Sequence, residues 1–385
     1  MGLAPKFGLV LSGGGARGSY QAGVLEAIAE IIGNEKGDHP FSVITGISAG
    51  AINASSLAGG TKDFSAHTKH LTKLWNELSH EEVMRTDISS LSKIGFGWIK
   101  DLSFGGLSGK SESTFLVDSS PLRKLIDDNV SFDKVHENIQ SKKISGLGIT
   151  TTSYGTGTSI TFFDSLEAAE WSRSSRIGLK EKITTEHILA SSSIPFLFKP
   201  IKLDNNYFGD GGIRSNTPFS PAIHLGADRI LAIGVRYMRS TAEVRDMNLH
   251  SKMDNIVLSD IAETMFHSVF LDAIEFDYER LMRINQTIDL ISEEVKAKQV
   301  FSLKKIPALV IQPSVDLGAL AAEEFDRFPR MMKYLLSGIG ASRDRGADLL
   351  SYIAFDKAYT SKLVEIGYKD GMTKKEEIRK FFDLK

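Results

Sequence analysis

Gly46-Ile47-Ser48-Ala49-Gly50 spells G-x-S-x-G. Small residues on either side of the serine permit a strained strand-to-helix turn that lifts the hydroxyl to the strand's C-terminal edge. A helix starting just after Ser48 favours negative charge developing there. This is the chemistry of a serine nucleophile attacking an acyl carbonyl. A second string, Gly13-Gly14-Gly15-Ala16-Arg17-Gly18, offers what such an attack needs next. Its glycines leave successive backbone N–H groups unobstructed. Ahead of a helix, those donors make a pocket for negative charge. A third string, Gly209-Asp210-Gly211-Gly212, holds a carboxylate between glycines, followed by a polar loop ending at Pro218. Asp-Gly alone usually marks a turn. Boxed this way, the aspartate suits a fixed backbone frame and the role of a general base.

Nine histidines compete for that role: His39, His67, His70, His80, His136, His187, His224, His250 and His267. None sits in a recognisable loop motif after a late strand, and most read as surface or capping residues. Groups distant in sequence can meet in space, so a triad histidine stays open at this point. Gly13-x-Gly15-x-x-Gly18 also fits the dinucleotide fingerprint, which would make the chain a nucleotide-binding oxidoreductase. That reading asks for an acidic residue about 20 positions on, at the end of the next strand. Asp38 has the spacing but precedes the strand at 41–45. The oxidoreductase reading also leaves the other two strings unexplained.

The elements that must position these groups are legible as an alternation. Residues 7–11 form a short apolar run closed by Ser12 and glycines, which predicts a buried strand. Residues 19–32 follow as a helix with Val24, Leu25, Ile28 and Ile32 on one face. Residues 41–45 make a second strand and 49–58 a helix of small residues that can lie close to a sheet. Strand, glycine turn and helix, twice over, predict an α/β fold with a mainly parallel central sheet flanked by helices. Further strands are expected at 144–151, 159–163 and 230–235, and helices at 69–78, 122–126 and 186–192. Beyond 236 the pattern turns helical, with a long amphipathic region at 255–292 and helices at 331–336 and 353–366. A short apolar run at 308–312 could add a strand. The division expected is a catalytic unit at 7–235, including a cap region at 61–130, and a mostly helical extension at 236–385 packed on it.

Composition narrows the classes. The chain has 385 residues, 42% of them hydrophobic and 24% charged, which excludes wholesale disorder. With 46 Lys+Arg against 48 Asp+Glu, bulk charge offers nothing to nucleic acid. Cysteine is absent, which excludes disulfides, thiolate metal sites and cysteine nucleophiles together. The apolar run near the start is far shorter than a signal-peptide core, and no stretch approaches the roughly 20 apolar residues of a membrane span. A cytoplasmic protein is the expectation, with peripheral membrane contact and signal-less secretion left open.

Together the three strings resemble the patatin-like phospholipase family, over residues 7–225 and in the family's order. Gly13, Gly14, Gly15, Ala16, Arg17 and Gly18 look like its oxyanion loop. Gly46, Ile47, Ser48, Ala49 and Gly50 look like its nucleophile elbow, and Asp210, Gly211 and Gly212 match its D-G-[GA] motif. Ala190-Ser191-Ser192-Ser193-Ile194-Pro195 is similar to the family's A-S-x-x-I-P segment. Residues 310–314 and 348–360 look like the C-terminal extension of bacterial members. The resemblance implies a Ser–Asp dyad in place of a triad, with Ser48 attacking an acyl ester and Asp210 acting on it directly. It implies a lipid or phospholipid substrate, backbone N–H groups of Gly14, Gly15 and Ala16 as oxyanion donors, and neither cofactor nor metal.

Two features keep two readings each. Arg17 either pins the glycine loop by bonding carbonyls or meets a lipid phosphate. The aromatic stretch 95–107, with Phe96, Trp98 and Phe104, is either a membrane-inserting cap or ordinary core. Residues 265–281 read as core of the C-terminal lobe. A partner-activated, membrane-recruited regulator on the same fold is the remaining alternative, since a protein activator leaves no mark in a single sequence.

Overall fold

The computed structural model describes residues 5–61, 63–87, 115–250, 255–268, 273–292, 294–295 and 303–384. Among them, ten strands form one sheet. They are β1 (Phe7–Leu11), β2 (Val43–Ile47), β3 (Gly146–Ser153), β4 (Ser159–Ser165), β5 (Trp171–Arg173), β6 (Arg176–Lys180), β7 (Ile201–Leu203), β8 (Asn206–Asp210), β9 (Arg229–Ile233) and β10 (Ala308–Ile311). The order is β10-β9-β1-β2-β3-β4-β6-β5, with β8 paired to β3 and β7 to β8. From β10 to β3 every pairing is parallel. Beyond β3 the sheet is mixed. Every residue of β1 and β2 is buried. A strand covered on both faces needs a continuous apolar run, not an alternating one, and that is what residues 7–11 supply. The second strand begins two residues later than the pattern predicted and runs through Gly46 and Ile47, so it ends directly at Ser48.

Helix α1 (Gly18–Ile32) was expected to bury one face. It buries all but Glu26 and Glu30. The reason is the C-terminal helix Lys357–Thr373, which covers its outer side at backbone contact. A Cβ on Gly23 would lie 2.0 Å from the Val364 carbonyl oxygen, and one on Gly367 would lie 2.1 Å from that of Tyr20. Helix α2 (Ala49–Ala58) is buried along its whole length, as its small residues allow. Helix α3 (Phe64–Glu77) is amphipathic and buries Phe64, Leu71 and Trp75. It starts where the Asp63 carboxylate accepts from Ala66 N at 2.7 Å, a normal N-cap.

The C-terminal part is helical with one addition: β10 joins the central sheet alongside β9. In the amphipathic helical region expected at 255–292, the described residues include the helices Leu258–Phe266 and Ala273–Leu290. Ile274 and Leu281 are buried against the β9 side of the sheet, whereas Met265 is exposed. The helix predicted at 353–366 starts at Lys357 and runs to Thr373, and Ile353 closes a separate helix, Ala347–Ile353. Asp356 makes the break by accepting from Ala358 N at 3.0 Å, which caps the second helix. The aromatic stretch 95–107 lies outside the described residues. No described helix is long and apolar enough to cross a membrane.

Candidate active site

The register of β3 brings two sequence-distant groups together. β2 runs parallel to β3 as far as Ile47 opposite Thr150. On the next rung, β8 arrives antiparallel with Asp210 opposite Thr151. β8 thus occupies the track beside β3 that β2 vacates, and the two strands meet end to end. Ser48 and Asp210 are the residues at that junction. Asp210 is the last residue of β8, and the short 3-10 helix Gly211–Ile213 follows it.

Ser48 has φ 55° and ψ −126°, a left-handed conformation that a non-glycine residue adopts at a cost on the order of 1–3 kcal/mol. Its surroundings hold it there. The Ser191 hydroxyl accepts from Ser48 N at 2.8 Å and donates to the Thr150 carbonyl at 2.6 Å. This clip ties the elbow to β3 and to the helix Thr185–Ser191. α2 begins at Ala49, so its positive end lies at the serine.

Asp210 is fixed by its backbone and by one carboxylate oxygen. Asp210 N donates to the Ser193 carbonyl at 3.0 Å, and Thr152 Oγ1 donates to the Asp210 carbonyl at 2.8 Å. Oδ1 accepts from Gly212 N at 2.8 Å. Oδ2 is buried without a hydrogen-bond partner among the described residues. Burial pushes the carboxyl up to about 7, against the pull of the Ser48 hydroxyl and the Gly212 N–H toward the charged form. The Ser48 hydroxyl therefore lies near the acid without completing a bond of normal geometry. Such bonds are commonly loose before substrate arrives.

The glycine loop passes beside the serine. A Cβ on Gly13 would lie 3.2 Å from that of Ser48. The N–H groups of Gly13 and Gly14 have no acceptor among the described residues. Gly15 has φ 57°, and a Cβ there would lie 2.0 Å from the Tyr352 carbonyl oxygen, so only glycine fits. Ala16, Arg17 and Gly18 turn the chain into α1. The Arg17 side chain is 2% exposed and is taken up by partners within the protein. It ion-pairs with Asp348, donates to Ser351 Oγ at 2.7 Å and to the Val235 carbonyl at 3.3 Å, and stacks over Tyr352. Its geometry is that of an anchor, with partners mostly in the helix Ala347–Ile353 and not in the loop itself. Burial works against its charge, and Asp348 more than restores it, so its pKa is raised. Asp348 also pairs with His267 and donates its N–H to Glu263 Oε1 at 2.9 Å. Despite burial, His267 and Arg17 hold the Asp348 carboxyl well below the usual carboxylate range. Glu263, His267 and Asp348 are the one described group spaced to hold a metal ion. Asp348 is already engaged by two of its neighbours, and the Arg17 guanidinium competes with any cation there.

The cleft at Ser48 is lined by Ala49, Ile52, Leu74, Trp75, Leu122 and Phe198 among others, an apolar wall suited to hydrocarbon. Its free space is about 30 Å³. A single water needs on the order of 10–15 Å³, so no acyl chain fits until the walls move. None of the nine histidines lines it. The segment whose role went unread in the sequence is Ser191-Ser192-Ser193. Its only signal was the likeness of 190–195 to a family string, which says nothing about which hydroxyl bonds what.

A strained serine between a strand and a helix, a free-amide loop beside it and a buried acid near it are the kinds of group that acyl transfer needs. Residues 9–223 match the model of the patatin-like phospholipase family, and the chain belongs to it. That membership removes the dinucleotide reading of the glycine string. The chain is 30% identical over 228 residues to the cGAMP-activated phospholipase of Vibrio cholerae serotype O1, covering 56% of each chain. It thus spans about half the length of that relative. Solved structures of similar outline include VipD from Legionella pneumophila, at 14% identity and TM-score 0.38, over 97% of this chain and 67% of that one. Human GIVD cytosolic phospholipase A2 gives 10% identity and TM-score 0.45, over 98% of this chain and 60% of that one.

Proposed function

We propose that Ser48 and Asp210 form a catalytic dyad that hydrolyses acyl esters of phospholipids or related lipids. The observation that carries this reading is the end-to-end meeting of β2 and β8 on consecutive rungs of β3. The Ser48 hydroxyl attacks the ester carbonyl carbon while Asp210 Oδ2, which lacks another partner, takes the proton. An ordinary aspartate, with pKa about 3.9, is a poor base for an alcohol. One raised to about 7 is far better matched to the task. The free amides of the glycine loop receive the oxyanion; losing one such donor typically costs on the order of 10²–10³ in rate. As the intermediate collapses, the carbon–oxygen bond to the alcohol breaks and Asp210 returns the proton to the leaving oxygen. Water, activated by the same carboxylate, then attacks the acyl-enzyme and releases the fatty acid and free Ser48.

The test is hydrolysis of phosphatidylcholine vesicles and of nitrophenyl butyrate by wild type, Ser48→Ala and Asp210→Asn. Ser48→Ala should lose at least about 10³-fold in kcat, and Asp210→Asn should fall with it. Equal activity in all three would refute the dyad.

The closed cleft favours a second, compatible reading, in which the enzyme is held idle until a ligand opens it. The Vibrio cholerae relative is named as activated by cGAMP, so cGAMP is the first ligand to add to the same assay. Unchanged activity across a wide cGAMP range would remove that reading and leave the dyad untouched.

A further inference from the structure

The run Ser191-Ser192-Ser193 lies against both halves of the site, and its three hydroxyls differ. Ser191 Oγ bridges Ser48 N and the Thr150 carbonyl. Ser193 Oγ lies 2.8 Å from the Leu189 carbonyl and 3.0 Å from that of Lys199. Ser192 Oγ is buried and has no hydrogen-bond partner among the described residues. A serine at a helix end ordinarily turns its hydroxyl back onto the carbonyl four residues earlier, as Ser193 does with Leu189. Ser192 does not do so with Ile188. Ser192 is among the residues that line the same cleft as Ser48.

The rest of that wall makes the hydroxyl conspicuous. Ser48 and Ser192 are the two hydroxyl-bearing residues among those that line it. The one other polar side-chain group, the Trp75 indole N–H, is taken up by Asn53 Oδ1 at 2.8 Å. A buried hydroxyl without a partner is a net cost to folding, and alanine would fit the same space without it. A cost carried in that position is recovered when a bound molecule supplies the acceptor. In an apolar cleft the incoming hydrocarbon has none to give; the ester group held at Ser48 does.

We infer that Ser192 is a substrate-contacting residue, whose hydroxyl donates a hydrogen bond to the ester group of the acyl substrate. This rests on the reading of Ser48 as nucleophile. The hydroxyl gives the cleft a second polar point, so that an acyl chain is held with its ester at the nucleophile and not slid past it. Ser191, in contrast, acts on the framework alone.

The experiment compares wild type, Ser192→Ala and Ser191→Ala in two readouts: kcat/KM on nitrophenyl butyrate, and thermal unfolding. Loss of one hydrogen bond to substrate should lower kcat/KM of Ser192→Ala about tenfold. Its Tm should be unchanged or about 1–2 °C higher, because an unsatisfied hydroxyl has gone. Ser191→Ala should instead lower Tm, because it strands the Ser48 N–H. Ser192→Ala with wild-type kcat/KM overturns the inference, as does a loss of activity that comes with a drop in Tm. Wild type that neither hydrolyses ester nor labels at Ser48 with a short fluorophosphonate would be the failure of the dyad, which this design separates from failure at Ser192.

Discussion

Two buried polar clusters flank the same glycine loop, and they are built on opposite principles. At its far end, Arg17, Asp348, Ser351, His267 and Glu263 satisfy one another. At its near end, Ser48 is held at a positive φ, Asp210 Oδ2 and Ser192 Oγ lack partners, and the Asp210 carboxyl is pushed far above its ordinary value. Buried polar groups are normally paired, so the first cluster follows the rule and the second breaks it at two atoms, Asp210 Oδ2 and Ser192 Oγ. The difference teaches where stability ends and chemistry begins. The satisfied cluster fixes the loop to the C-terminal helices. On the proposed function, the unsatisfied one is kept ready for groups that a substrate brings.

The comparison breaks most sharply by mutation of the satisfied side. Arg17→Ala leaves the Asp348 carboxylate buried with half its compensation gone. Breaking a buried pair costs about 3–5 kcal/mol, so denaturant unfolding should show a loss of that order, and activity should fall with it as Gly15 loses its seat. A loss under about 1 kcal/mol would mean that the pair is not what holds the loop.

A smaller effect of opposite sign is expected on the other side. The folded-state pKa of Asp210 is raised to about 7, so between the unfolded value, near 3.8, and about 7 the folded chain holds the extra proton. The stability linked to that proton is fully present below the unfolded value and is lost as pH rises through 7. Asp210→Asn has no such loss. It should therefore be inactive yet more stable than wild type at pH 8, by on the order of 1–4 kcal/mol, with the gap closing toward pH 4. Asp348, whose pKa is depressed, gives the mirror image: its stability is present above the unfolded value and is lost as pH falls below it. If Asp210→Asn destabilised the fold at pH 8, the contrast between the clusters would collapse.

The sequence disclosed the groups of the site better than their arrangement. The elbow, the glycine loop and Asp210-Gly211-Gly212 are each local, and backbone requirements of a few residues write themselves into a few letters. What joins Ser48 to Asp210 is the register of β2 and β8 on β3, a pairing of distant segments that no local pattern encodes. The same holds for Arg17, whose partner lies 331 residues away, and for α1, which looked one-sided because its cover comes from Lys357–Thr373. The break at Asp356 was hidden because apolar periodicity continues across it. Ser192 was invisible because its significance is a missing bond, which only the neighbours reveal.

The most direct test of the account is the pH dependence of Ser48 labelling by a short-chain fluorophosphonate, followed by mass spectrometry of the adduct. The account predicts a single adduct on Ser48, formed at a rate that rises with pH to a plateau with a midpoint near 7, the value at which Asp210 gives up its proton. It also predicts that Asp210→Asn forms that adduct far more slowly and without the midpoint. An adduct on another residue, or a Ser48 rate that does not change when Asp210 is replaced, would contradict it.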